Sequence, residues 1–90
     1  MAKAVVDPDA LQRFASQLKR FTADTQAQLA MIHRQFSKLG ETWKDQEHAK
    51  FAEEFEKAVA VMTRLTASSE KQIPILLRKA QSIREYLGHG

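Results

Sequence analysis

Leu39-Gly40-Glu41-Thr42-Trp43-Lys44-Asp45-Gln46-Glu47 decides the fold, because it lies at the middle of the chain with a long helical pattern on each side. Glycine at position 40 suits a helix C-cap, being tolerant of the left-handed conformation in which many helices end. Thr42 and Asp45 are alternative N-caps for the next helix, either as a Thr42-x-x-Asp45 capping box or with Asp45 alone. The stretch therefore reads as a short reversal, over about residues 40–45.

Upstream, residues 1–6 carry no periodic signal, and Asp7-Pro8 marks a helix start. Aspartate accepts a bond from a free backbone N–H, and proline at the first helical position gives up no donor the helix needs. Leu11, Phe14, Leu18, Phe21, Thr25, Leu29, Ile32, Phe36 and Leu39 then recur at gaps of three and four, predicting a helix over about 8–39. Downstream, Phe51, Phe55, Val59, Met62, Leu65, Ser69, Ile73, Leu76, Ala80, Ile83 and Leu87 do the same, predicting a second helix over about 46–87. Pro74 removes one N–H from this helix and crowds the carbonyl four residues back, so a kink is expected near 70–74.

The fold class is therefore all-α: one domain over 1–90, an antiparallel two-helix hairpin. Counting outward from residue 42 sets Pro74 level with Leu11 and leaves Ile75 to Leu87 overhanging the first helix. Two helices bury one stripe each. Apolar stripes this wide, flanked by Ala15, Ala27 and Ala30, fit a four-helix core, so a homodimer of hairpins is expected. A paralogue could replace the second copy. Charge adds an orientation: Glu41, Asp45, Glu47, Glu53, Glu54 and Glu56 make the turn end acidic, and Arg64, Lys71, Arg78, Lys79 and Arg84 make the distal part basic. An antiparallel dimer would bring these ends together, at about 0–1 kcal/mol per exposed pair, and a parallel dimer is the alternative.

Composition narrows the function. With 43% apolar and 28% charged residues, three Gly and two Pro, the chain is ordered and helical. It has no cysteine, which excludes disulfides, thiolate metal sites and a thiol nucleophile. No Ser/His/Asp arrangement, glycine-rich phosphate loop or inward pair of carboxylates is present, so no catalysis, cofactor or small-molecule substrate is expected. His33, His48 and His89 raise a metal reading, but neither stripe contains the inward glutamates of a di-iron bundle, and His33 and His48 read as solvated. A net charge of +3 is mild; phosphate contacts through Lys71, Arg78, Lys79 and Arg84 form the alternative function, a small basic nucleic-acid-associated protein. Neither a signal-peptide core nor a membrane-spanning run is found, so a cytoplasmic product is expected, with any export by a route needing no cleaved leader.

Trp43-Lys44-Asp45, with Phe51 eight residues after the tryptophan, in a chain of two long helices, resembles the WXG family of small ESAT-like helical hairpins. The resemblance covers the whole chain in architecture and Trp43, Lys44, Asp45 and Phe51 in motif. It implies a hairpin that dimerises into a four-helix bundle and serves as a substrate or partner of type VII secretion, with a secretion ATPase among its contacts. Asp45 stands where the motif has glycine. The family's export signal pairs a tyrosine with an acidic residue four positions later; here Tyr86 is followed at that distance by Gly90.

Overall fold

The computed structural model describes residues 6–89. Gly90 and the His89 side chain lie outside the described residues. Two helices form a hairpin, α1 (Pro8–Leu39) and α2 (Gln46–His89), and α2 runs through Pro74 without a break.

The helix ends follow from local chemistry. Asp7 caps α1 by accepting a hydrogen bond from the Asp9 N–H at 3.0 Å, with Pro8 directly behind it. Asp45 caps α2, its Oδ1 accepting from the His48 N–H at 3.0 Å. Thr42 takes no part in that cap: its hydroxyl and its N–H both turn back to the Leu39 carbonyl. Between the helices the chain keeps winding right-handed. Gly40 has φ −64° and ψ −13°, which corrects the left-handed C-cap expected from sequence. The space there is tight: a Cβ would lie 3.3 Å from the Ser37 carbonyl oxygen and 3.4 Å from His48 Nε2.

The seam between the helices is a heptad pattern. His48, Ala52, Phe55, Val59, Met62, Thr66, Ser69, Ile73, Leu76, Ala80 and Ile83 are the inward positions of α2, at gaps of four and three in strict alternation. Such a repeat keeps one edge of a helix against its partner. On α1 the inward set is Leu11, Ala15, Leu18, Thr22, Thr25, Leu29, His33 and Phe36. At the turn end Phe36 anchors the register, with ring centroids 5.1 Å from His48, 5.5 Å from Phe51 and 4.7 Å from Phe55. Aromatic pairs of this kind contribute about 0.5–1.5 kcal/mol each beyond their buried area.

This anchor shifts the register away from the count made on sequence. Phe36 faces Phe55, so the hairpin's midpoint falls near residues 45–46 rather than at 42. Pro74 consequently lies beside Lys19, Thr22, Ala23 and Gln26, not beside Leu11. The large overhang disappears, and Arg84 reaches Asp9 at the open end, Nη2 to Oδ1 2.7 Å.

Two predictions follow from these contacts. Thr22 is 2% exposed and its hydroxyl has no partner, whereas the equally buried Thr66 donates to the Thr63 carbonyl at 2.9 Å. A buried, unpaired hydroxyl costs about 1–3 kcal/mol. Thr22→Val should therefore raise the urea midpoint at fixed protein concentration, by roughly 1 kcal/mol of stability; a lower midpoint would show that the hydroxyl is used. At the open end, the hydrogen bond from Arg84, then its charge, holds the Asp9 carboxyl below its ordinary value. Asp9 thus releases its proton more readily folded than unfolded, so the pair's stabilisation is present above the ordinary aspartate range and lost as pH falls through the depressed value. Asp9→Asn should melt lower than the parent at neutral pH and converge with it in strong acid; a gap independent of pH would reject the ionic account.

Candidate interaction surface

The hairpin measures 67 × 23 × 15 Å, one helix thick. Among the described residues, those fully buried are Ala15, Thr22, Thr66 and Ala80, all small. The fully buried points of the seam are thus residues with little side chain, the larger apolar residues of the seam stay half-buried, and a second set of large apolar groups stands on its flanks.

Their placement is systematic. Phe14, Phe21, Ile32 and Leu39 each follow a seam residue of α1 by three, and Phe51 and Leu65 do the same on α2. Because the helices are antiparallel, these equivalent flanks share one broad face. A shallow depression lined by Thr25, Leu29 and Ile32 of α1 and Met62 of α2 joins the two flanks there. Phe14 is 53% exposed, Phe21 50% and Leu65 49%, so this face is a band of large apolar side chains open to solvent. The opposite face presents Gln12, Lys19, Gln26, Glu70 and Arg84, with Leu77 as its large apolar exception.

The sequence-predicted residues therefore separate into two sets. Leu11, Leu18, Leu29, Phe36, Phe55, Val59, Met62, Ile73, Leu76 and Ile83 line the seam; Phe14, Phe21, Ile32, Leu39, Phe51, Leu65 and Leu87 do not, and stand exposed. Thr22, His33, His48, Ala52 and Thr66 occupy the seam outside the stripes read from sequence, and Ala15, expected to flank the stripe, lies within the seam.

The turn end carries the tightest cluster. Trp43 is half-buried and meets the edge of His48 at 5.0 Å, and His48 stacks on Phe36 with 6° between the rings. His48 Nε2 is buried without a partner. His33 is half-buried, 3.1 Å from Glu56 Oε2, and stacks on Phe55. The expectation that both histidines are solvated is corrected for His48, whose ring packs between Phe36 and Trp43, whereas the His33 side chain keeps 44% of its surface exposed beside Glu56. Asp45 and His48 do not form a carboxylate–imidazole pair, because the carboxylate is engaged by the His48 backbone. Among the described residues no three His, Cys, Asp or Glu side chains converge on a metal-sized site.

The C-terminal cations do not form one patch. Arg84 is tied to Asp9, Lys79 falls on the apolar flank, and Lys71 and Arg78 are on the outer edge of α2. No described helix is long and apolar enough to cross a membrane.

No family model matches the chain. No curated protein matches it either. Among solved structures, the secreted protein EsxB from Bacillus anthracis is 26% identical, with a TM-score of 0.76 over 96% of this chain and 98% of that one. A structure of a single-substitution EsxB mutant gives 26% identity and a TM-score of 0.74 over 94% and 98%. With its two antiparallel helices, the Trp43 turn and this likeness along nearly its full length, the chain has the ESAT-like helical-hairpin fold of the WXG proteins.

Proposed function

We propose that this chain is a non-enzymatic binding module that works as a dimer of hairpins and serves as a substrate or partner of type VII secretion. The observation that carries the reading is the open apolar face bearing Phe14, Phe21, Ile32, Leu39, Phe51 and Leu65. A ninety-residue chain whose fully buried described residues are all small has not completed a core. A second hairpin laid on this face would cover both flanks and close a four-helix bundle.

The secretion half of the proposal rests on the likeness to a protein described as secreted. A second copy of the chain is the first-choice partner, a paralogous hairpin the next, and a secretion ATPase the machine that would take up the pair. Trp43, whose ring lies 5.0 Å from that of His48, sits at the tip of the rod, outside the apolar band, and would stay at the end of such a bundle.

Light scattering should give about twice the 10.2 kDa chain mass at micromolar concentration. Phe21→Asp and Leu65→Asp should each lower that mass to a monomer's, since either would set an unpaired charge in the closed interface. A parent that stays monomeric and melts cooperatively rejects the homodimer. Culture fractionation in the source organism tests export: the chain should appear in the medium when the secretion ATPase is intact and be retained when it is deleted, and equal release from both strains rejects the type VII route.

A further inference from the structure

The outer edge of α2 carries a pattern that neither the seam nor the apolar face uses. Lys50, Lys57, Arg64, Lys71 and Arg78 recur at intervals of seven, and all five are exposed. Each stands two residues after one seam position and two before the next, about 200° round the helix from both. Arg64, for example, lies midway between Met62 and Thr66. At about 10.5 Å per seven residues the five cations form a row about 42 Å long on the side facing away from α1.

Charge along the row is uneven. Near the turn it is countered: Glu53 and Glu54 flank Lys50 and Lys57, and Lys57 Nζ is 3.6 Å from Glu54 Oε2. Farther along, Arg64, Lys71 and Arg78 have no ion-pair partner among the described residues. The strip beside them is Val61, Ser68, Ile75 and Ser82, free of acids, with Val61 and Ile75 both exposed. The corresponding row of α1, Arg13, Arg20 and Arg34, is interrupted by Ala27, and Asp9 lies close to Arg13.

We propose that the Arg64–Lys71–Arg78 edge of α2 docks onto an anionic phospholipid bilayer. A straight row brings all its charges to a plane together, whereas the phosphates of a duplex wind away from a straight rod. No aromatic residue lies along the row to stack on bases of a single strand. The aliphatic stems of Arg and Lys can lie among headgroups while Val61 and Ile75 dip towards the acyl boundary. Arg64 stands about 100° round the helix from Leu65, so the cations border the apolar face without lying in it and remain available if a second hairpin covers that face, with Val61 and Ile75 between the two. The inference therefore stands apart from the dimer reading.

Sedimentation of the full chain with vesicles tests it. The parent should pellet with vesicles of phosphatidylglycerol and phosphatidylcholine in equal parts, stay in solution with phosphatidylcholine alone, and be released by raised salt. Replacing the three residues together, Arg64→Glu, Lys71→Glu and Arg78→Glu, should weaken binding at least about tenfold with helix content and mass unchanged. The same charge change on α1, Arg13→Glu, Arg20→Glu and Arg34→Glu, should weaken it no more than about threefold. Should reversal disturb the helix, the glutamine triple Arg64→Gln, Lys71→Gln and Arg78→Gln makes the same comparison. Absent binding by the parent, equal losses in the α1 and α2 variants, or tighter binding to duplex DNA than to anionic vesicles would each overturn the proposal.

Discussion

Two helices laid side by side can hide only one stripe each, and the remaining features of this hairpin respond to that limit. Ala15, Thr22, Thr66 and Ala80 let the backbones approach closely, but small residues at the seam leave little apolar area buried within the hairpin. Aromatic packing compensates at one end, where Phe36 sits among His48, Phe51 and Phe55. An ion pair, Asp9 with Arg84, holds the other end. Between them the middle of the seam is hydroxyl-rich, with Thr22, Thr25, Thr66 and Ser69, so the two ends fix the register and the centre follows it.

Helix number, helix order and the reversal are legible in the sequence because caps and three-four spacing are local properties of the chain. The assignment of individual side chains is not. Choosing the largest apolar residue in each turn merges two adjacent lines, so Phe14 and Phe21, which flank the seam, were grouped with Leu11 and Leu18, which form it. A sharper signal was present in α2, where the strict alternation of four and three through His48, Ala52, Thr66 and Ala80 marks the seam although none of the four is strongly hydrophobic. Periodicity located the buried edge better than hydrophobicity did.

At the turn, the reason given for Gly40 changes and the one given for Asp45 holds. Gly40 was read for its backbone freedom and is instead right-handed, its missing Cβ leaving space for His48. Asp45, in the place of the motif's glycine, needs no left-handed backbone because no described residue outside glycine has positive φ; it caps α2 through its side chain. The midpoint of the hairpin was illegible for a related reason. Loop length shows where the chain reverses, but packing decides which residues face each other, and the Phe36–Phe55 contact moved the level of Pro74 by about two helical turns.

The distribution of charge completes the division of the surface. An apolar band as wide as this one would, on an otherwise neutral ribbon, permit stacking of hairpins in open-ended layers. Here Arg64, Lys71 and Arg78 on the outer edge of α2, and the shorter row of Arg13, Arg20 and Arg34 on α1, put cations along the distal part of both long edges. Like-charged edges repel one another, so sideways growth is opposed while the broad face stays free to pack. A seam whose fully buried members are small, a face of large apolar residues and edges bearing cations are thus three separate uses of the same seven-residue repeat, each selected by its angle around the helix.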